Sequence, residues 1–181
     1  MRIISGFLKA RRFSIPKNFP SRPTTDFAKE GLFNILENRI DLQDLEILDL
    51  CAGTGNISFE FISRNSGKIV AVDKDFKCVR HIQKIAADLG VSSQIQTYKM
   101  EAQEYVKKTD QSFAIVFADP PYALNIHKEI VQLVMENKIM STDGLLIIEH
   151  GRQTDLSDLA SFDFCRQYGN VYFSFFRKQD V

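Results

Sequence analysis

The sequence predicts an α/β fold in which a mostly parallel sheet of seven strands ends in an antiparallel hairpin. Short apolar runs alternate strictly with helical patterns from residue 46 to residue 149, which is typical of a doubly wound parallel sheet. Two strand-like runs then follow each other directly, joined by Gly169-Asn170, a hairpin signal. A further pair of aliphatic runs opens the chain and indicates a short N-terminal β-hairpin.

The N-terminal elements come first. Residues 2–16 predict the short hairpin, and residues 16–23 predict a loop because they contain three prolines. A helix capped by Thr24, Thr25 or Asp26 should run to about Arg39.

The alternating part follows. Strands are predicted at 46–50, 68–73, 94–99, 113–118 and 144–149, with helices at 56–64, 75–89, 102–107 and 126–136. The closing strands are expected at 161–168 and 171–177. We therefore divide the chain into a basic extension, residues 1–22, and one α/β domain, residues 23–181.

Composition excludes several classes of protein. A content of 44% hydrophobic and 25% charged residues is that of a globular protein rather than a disordered one. No apolar stretch approaches the ~20 residues of a membrane span, and the N-terminus lacks the pattern of a signal peptide, so we expect a cytoplasmic protein. Three dispersed cysteines argue against a disulfide framework, and Cys78 and His81 lack the second ligand pair of a zinc site. We expect a monomer without a metal ion.

Charge is distributed unevenly. Residues 1–25 hold six of the 23 basic residues and none of the 23 acidic ones. A basic segment on an otherwise acidic domain suggests a polyanionic partner such as RNA. The basic residues are Arg2, Lys9, Arg11, Arg12, Lys17 and Arg22.

A glycine-containing loop follows the first strand of the domain. It reads Asp49-Leu-Cys-Ala-Gly-Thr-Gly55, and ligands of doubly wound sheets bind at such strand ends. Asp73 ends the next strand, where a carboxylate can accept both hydroxyls of a ribose. A nicotinamide cofactor is disfavoured, because Ser58 stands where the dinucleotide fingerprint has its third glycine. Asp49 suits a cationic ligand better than a pyrophosphate.

The four residues Asp119-Pro120-Pro121-Tyr122 follow a buried strand. Two prolines hold the backbone extended, which leaves its carbonyls free to accept hydrogen bonds from a ligand. With a carboxylate on one side and an aromatic face on the other, they predict a slot for a planar amine. The alternatives are that Asp119 caps a helix and that Tyr122 is a packing residue.

The glycine loop, Asp73 and the Asp119–Tyr122 slot together resemble the class I S-adenosylmethionine-dependent methyltransferases that act on exocyclic amines. The resemblance is closest to the RsmD-type bacterial small-subunit ribosomal RNA guanine-N2 methyltransferases, and it covers nearly the whole chain. It implies a Rossmann-like fold and an enzyme that methylates a guanine N2 amine of small-subunit rRNA. The other matching segments are Met1–Gly6, Arg22–Asp26, Glu149-His150 and Tyr168-Gly169.

The resemblance also implies roles for individual residues. Asp119, Pro120 and Tyr122 would be catalytic, holding and stacking the target base. The implied cofactor contacts are Asp49, Cys51, Ala52, Gly53, Thr54, Gly55, Asp73, Lys74, Glu101, Ala102 and Asp119. The expected RNA contacts are Arg2, Lys9, Arg11, Arg12, Arg22, Thr24, Pro121 and Tyr122.

The chain departs from the pattern of that family at several positions. Phe27 and Lys29 stand where arginines are common, which predicts that one RNA or cofactor contact is weakened while the basic extension is kept. Cys51 replaces a more usual phenylalanine, which predicts a change in packing. Glu101 is one methylene longer than the usual aspartate facing the adenine.

Three other functions are consistent with parts of the sequence. A DNA adenine-N6 methyltransferase uses the same slot but usually carries a separate target-recognition region, and we expect no spare length for one beyond the N-terminal segment. The basic extension argues against a third possibility, methylation of a protein side-chain amide. A non-catalytic RNA-binding protein that kept the fold should have lost its cofactor loop and Asp119.

Overall fold

The structure is a computed structural model that describes residues 1–21 and 23–177. The helices are α1 (Asp26–Glu37), α2 (Asn56–Ser63), α3 (Phe76–Leu89), α4 (Ala102–Lys108) and α5 (His127–Glu136). The strands are β1 (Ile47–Leu50), β2 (Ile69–Asp73), β3 (Ile95–Lys99), β4 (Phe113–Ala118), β5 (Met140–His150), β6 (Phe162–Tyr168) and β7 (Val171–Arg177). Short 3₁₀ turns span Ser92–Gln94 and Tyr122–Leu124.

The seven strands form one sheet in the order β3-β2-β1-β4-β5-β7-β6. β1 to β5 pair in parallel, and β7 pairs antiparallel with both β5 and β6. This confirms the predicted parallel sheet with an antiparallel C-terminal hairpin. The order reverses between β1 and β4, and a ligand of such a sheet binds outside the carboxyl ends of the strands at this point.

The two faces of the sheet are covered by different helices. Ile47, Ile115 and Ile147 point to the face where α1, α2 and α3 pack, whereas Leu48 and Val116 point to the face of α4 and α5. Both faces are buried, so the central strands are continuous apolar runs rather than alternating ones.

Local sequence explains the helix ends. The Thr25 hydroxyl accepts a hydrogen bond from the amide of Ala28, which selects Thr25 among the predicted caps of α1. Asp75 caps α3 in the same way, and Gly90, with a φ of 72°, ends it. α1 stops at Glu37 rather than at the predicted Arg39.

β5 begins at Met140, four residues earlier than the predicted strand. Its first part, Ser141–Asp143, is polar and partly exposed, so it lacks the apolar signal of a buried strand. The pairing with β4 shifts register between Phe113 and Ile115, next to this polar segment.

The N-terminal segment forms the predicted hairpin only as a short antiparallel pair. Arg2 bridges Arg12, and the amide of Ile3 donates to the Arg11 carbonyl over 3.0 Å. Regular strands do not continue because the amides of Ile4 and Ser5 are bound elsewhere, to a side chain of α2. In the part of the chain that the structure describes, no helix is long and apolar enough to cross a membrane.

Candidate active site

A cleft opens at the carboxyl edge of the sheet, where β1, β2 and β4 end. It holds about 680 Å³ of space including its mouth, and it is lined on several sides by carboxylates. A second hollow of about 370 Å³ adjoins it and shares four of its lining residues. The shared residues are Cys51, Asp73, Lys74 and Pro121.

Backbone hydrogen bonds shape the loop between β1 and α2. The Ala52 amide donates to the Val72 carbonyl over 2.9 Å, and the Gly55 amide donates to the Ala52 carbonyl over 2.8 Å. Gly53 and Gly55 have φ angles of 54° and 74°, in the left-handed region that favours glycine. The predicted loop lies along the cleft, and its residues 51–54 are part of the cleft lining.

Asp73 fixes this loop to the neighbouring strand. One of its carboxylate oxygens accepts from the Gly53 amide and the other from the Asp75 amide, each over 2.8 Å. A carboxylate oxygen has more than one acceptor site, so both oxygens can still receive a ribose hydroxyl. Asp73 therefore braces the loop, a role that its position in the sequence did not reveal.

Asp49 lies beneath the cleft and is almost completely buried. Burial raises the pKa of its carboxyl to about 7, against a hydrogen bond from the Ser58 hydroxyl that lowers it. The sequence had marked Ser58 only as the residue that breaks a dinucleotide fingerprint. Its location in the first turn of α2, facing the end of β1, makes it the partner of Asp49 instead.

The Asp119–Tyr122 segment leaves β4 beside the same cleft. Burial raises the pKa of the Asp119 carboxyl above its ordinary value, and the charges of Glu149 and Asp49 raise it further. Asp119 does not cap a helix, because the following 3₁₀ turn begins at Tyr122 with Pro121 at its N-cap. Pro121 and Tyr122 are exposed, and 45% of Tyr122 is accessible to solvent. The slot predicted from sequence is therefore open to a ligand.

The adjoining hollow contains the residues expected to hold an adenine. Glu101 and Ala102 line it together with the apolar side chains of Met100, Leu124 and Ile126. Ala102 begins α4, so its amide has no acceptor within the helix. Glu101 is more than half exposed, and its carboxylate lies 3.8 Å from the Lys74 ammonium group.

Thr24, an expected RNA contact, lines the cleft. It is buried, and its hydroxyl donates to the Glu149 carboxylate over 2.7 Å. Its carbonyl accepts a hydrogen bond from the side chain of Asn56. Thr24 therefore links the segment before α1 to the end of β5, next to Asp119. No sequence signal pairs Thr24 with Glu149, since 125 residues separate them.

Lys29 is also inside the protein rather than at an RNA or cofactor contact. Its ammonium group pairs with the Glu60 carboxylate at 3.2 Å, and it donates to the Asn56 side chain and the Arg2 carbonyl. The structure thus gives Lys29 three partners within the protein, and the predicted weakening of an RNA or cofactor contact stays a prediction. Phe27, in contrast, is 66% exposed, and its ring packs edge-on against Tyr168.

The first residues of the basic extension, which we call the basic arm, pack on α2. Glu60 accepts hydrogen bonds from the amides of Ile4 and Ser5, and the Ser63 hydroxyl accepts from the Leu8 amide. A side chain at Gly6 would overlap the Ser63 carbonyl. Lys9, Arg11, Arg12 and Lys17 are exposed, and Arg2 pairs with Asp26 at the surface; Arg22 lies outside the described residues.

The cleft fits S-adenosylmethionine, the cofactor that the resemblance implies. The Ser21 hydroxyl lines the cleft and is buried with no hydrogen-bond partner among the described residues, so a ligand group can supply one. Three carboxyl groups line the cleft, those of Asp49, Asp73 and Asp119, and a ligand with a sulfonium and an ammonium group would favour their ionised form.

Solved structures share this architecture. The Escherichia coli protein yhhF superposes with a TM-score of 0.86 at 24% identity, covering 100% of this chain and 99% of that one. RsmC, a 16S rRNA N2 methyltransferase of Thermus thermophilus solved with AdoMet and guanosine, gives a TM-score of 0.72 at 18% identity, covering 88% of this chain and 45% of its own. These similarities confirm the Rossmann-like methyltransferase fold.

Sequence relatives give the family. YlbH of Bacillus subtilis is 32% identical over 161 residues, covering 87% of this chain and 86% of that protein. The ribosomal RNA small subunit methyltransferase D of Haemophilus influenzae is 30% identical over 152 residues, covering 82% of this chain and 78% of that protein. The family model described as conserved hypothetical protein 95 matches residues 1–177. The chain therefore belongs to the conserved hypothetical protein 95 family, together with the small subunit methyltransferase D proteins that it resembles.

Proposed function

We propose that this protein transfers a methyl group from S-adenosylmethionine to the N2 amine of a guanine in small-subunit ribosomal RNA. One observation carries the proposal: the Asp119–Tyr122 slot opens into the same cleft as the glycine loop and Asp73. Curated relatives that are named small subunit methyltransferase D support the choice of substrate. An rRNA substrate supports a cytoplasmic location, and we infer that the protein acts there as a monomer.

Methyl transfer requires the protein to align the guanine amine with the methyl group and to accept a proton from the amine. When bound, S-adenosylmethionine supplies a methyl group that its positively charged sulfur already activates. The nitrogen of the guanine amine is a weak nucleophile, because its lone pair is delocalised into the ring. Hydrogen bonds from its two N–H groups to the Asp119 carboxylate and the Pro120 carbonyl would concentrate the lone pair on nitrogen and offset the positive charge that develops there.

The electrostatics of Asp119 match that role. A general base works best when its pKa lies near the working pH, and burial with two neighbouring carboxylates raises the pKa of Asp119. Asp119 would therefore accept the proton that nitrogen loses as the new C–N bond forms. Tyr122 would stack on the base, which must leave its own stack or be unpaired to reach the slot.

The N-terminal arm would bind the RNA through its phosphates. Its exposed cations lie on a segment fixed to α2, so they form a preorganised surface for phosphates. Loops and bulges of RNA offer unstacked bases, and they are the accessible targets for such a site.

The test is transfer of a labelled methyl group to small-subunit RNA, or to small subunits, from cells that lack the enzyme, followed by nucleoside analysis. We expect the label in N2-methylguanosine, and we expect no label with Asp119→Ala. Label in N6-methyladenosine would support the adenine-N6 alternative. Binding of RNA and cofactor without methyl transfer to any of these substrates would support a non-catalytic RNA-binding protein.

A further inference from the structure

Glu149 lies beside Asp119 and has no role in the proposed methyl transfer. β4 and β5 run in parallel, with Ala118 opposite Ile148, so the next residues of the two strands, Asp119 and Glu149, come side by side. Adjacent strands lie about 4.8 Å apart. Both residues follow the two-residue alternation of Phe117 and Ile147, so both side chains project to the face of the sheet that carries α1 and α2.

The Glu149 side chain is held in place. It is 4% exposed, and one carboxylate oxygen accepts the hydrogen bond from Thr24. Thr24 is fixed in turn through Asn56, whose side chain is bound to Lys29. A side chain held by a buried network keeps one orientation, which a residue needs if it reads a base.

Three residues near Glu149 line the cleft or belong to the slot. Thr24 and Asp119 line the cleft, and Tyr122 packs against Gly151, two residues after Glu149; a Cβ on Gly151 would lie 3.1 Å from the Tyr122 ring. The charge of Glu149 acts on both Asp119 and Tyr122. A base stacked on Tyr122 with its amine at Asp119 would therefore have one of the two ring atoms that flank the amine near Glu149.

The ring atom N1, which lies next to the amine in both bases, distinguishes guanine from adenine. Guanine carries a hydrogen on N1, next to the N2 amine, whereas N1 of adenine, next to the N6 amine, is an acceptor. We propose that Glu149 is the specificity-determining residue that accepts the N1–H of the target guanine while Asp119 accepts from its N2 amine. The inference rests on the proposed function and explains why the slot would take guanine rather than adenine: an ionised carboxylate facing N1 of adenine would leave two acceptors opposed.

The test uses 2-aminopurine, which keeps the 2-amine of guanine but has an acceptor at N1. Wild-type enzyme first identifies its target guanine, and the same RNA, or the particle reconstituted from it, is then prepared with 2-aminopurine at that position. Reactions run at about pH 8 to favour the ionised form of Glu149, because burial raises the pKa of its carboxyl. We expect wild type to prefer guanine, and we expect Glu149→Gln, whose amide can donate to N1, to lower the guanine/2-aminopurine ratio of kcat/KM by about 10- to 100-fold.

The ratio separates base reading from a merely structural role. A variant that is partly unfolded loses activity on both substrates equally, so its ratio stays that of wild type. Asp143→Asn, at the opposite end of β5 and exposed, is the matched carboxylate-to-amide control and should keep the wild-type ratio. Quenching of 2-aminopurine fluorescence gives a second measurement without turnover: Glu149→Gln should bind the substituted RNA more tightly, relative to the guanine RNA, than wild type does.

Each outcome decides the question. Equal use of guanine and 2-aminopurine by wild type overturns the inference whatever the variants do, and so does an unchanged ratio in Glu149→Gln. If wild type methylates no guanine at all, the proposed function itself is wrong. A fallen ratio in Glu149→Gln with an unchanged ratio in Asp143→Asn supports the assignment.

Discussion

The carboxylate of Glu60 lies 3.2 Å from the ammonium group of Lys29, and both side chains are completely buried. Desolvation is costly for both charges, and several additional hydrogen bonds offset it: the same carboxylate accepts from Arg64 and from two amides of the N-terminal arm. Burial lowers the pKa of Lys29, and its neighbour Glu60 opposes that shift. The pair thus fixes the basic arm to the domain.

Breaking this pair should destabilise the protein strongly. Glu60→Gln keeps the shape of the side chain but leaves Lys29 as an uncompensated buried charge and Arg64 paired only with Glu37. We therefore expect a loss of about 3–5 kcal/mol in unfolding free energy, measured by urea denaturation. Glu104→Gln removes the carboxylate of an exposed pair with Lys108 and should cost less than about 1 kcal/mol. Equal small losses in both variants would contradict the structural role of Glu60.

Patterns that depend on neighbouring residues predicted most of the fold. The parallel strands are apolar because both faces of the sheet are covered, and caps such as Asp75 and Gly90 are visible locally. The N-terminal hairpin is shorter than predicted because Glu60, more than 50 residues away, binds the amides that a strand partner would have taken.

The site was predictable only in part for the same reason. The glycine loop and the Asp119–Tyr122 segment are contiguous, so composition reveals them. Thr24 and Lys29 have partners from distant elements, Glu149 and Glu60, and single polar residues near a basic arm are naturally interpreted as surface contacts. Only the packing of α1 on the sheet shows that both face inward.

The stability of the cofactor-free protein should depend on the ionisation of Asp49. The pKa of Asp49 in the folded protein is about 7, above its ordinary value. The stabilisation that the neutral carboxyl gives to the folded state is therefore fully present below about pH 4 and is lost as the pH rises to about 7. Asp49→Asn stays neutral, so its unfolding free energy relative to wild type should grow across this interval and not beyond it. Urea denaturation at about pH 5 and about pH 8 measures the change, with the exposed Asp88→Asn as control. A difference that does not vary with pH would show that Asp49 ionises normally.

Asp73 should contribute to cofactor affinity in two ways. Asp73→Ala removes the carboxylate expected to bind the ribose, and it also frees the Gly53 amide, so the loop loses its brace. We expect affinity for S-adenosylmethionine to fall by at least about tenfold in calorimetry, since one charged hydrogen bond is worth about 1.5–3 kcal/mol. Asp88→Ala, which removes an exposed carboxylate of α3 outside the cleft lining, is the matched control. An affinity equal to wild type would remove Asp73 from the ribose site.

Asp119 should be needed for transfer more than for cofactor binding. Asp119→Ala removes the acceptor for the amine proton, so methyl transfer should fall below detection while calorimetry finds S-adenosylmethionine bound within a few-fold of wild type. Asp119→Asn keeps a hydrogen-bond acceptor but cannot take the proton, so it should retain more activity than alanine and still much less than wild type. Substantial transfer by the alanine variant would exclude the assigned role.

The arm should set the salt dependence of RNA binding. Arg11 and Arg12 are exposed on a segment that Glu60 and Ser63 hold in place, and Arg22 follows it in the sequence. Each cation that contacts a phosphate releases counterions, which contributes a slope of about 0.7 to 0.9 to the dependence of log affinity on log salt. Replacing all three arginines by glutamine should therefore weaken binding and lower the slope by about 2 to 3, measured by filter binding across a salt series.

A control of equal charge separates this effect from the loss of overall positive charge. Lys107, Lys108 and Lys138 are exposed and lie on α4 or next to α5, on the other face of the sheet from the arm. Replacing these three lysines by glutamine changes the net charge by the same amount but removes no predicted phosphate contact, so the slope should stay within about 0.5 of wild type. If both triple variants lost affinity equally, the RNA would be held by the general field of the protein and the arm would have no special part in binding.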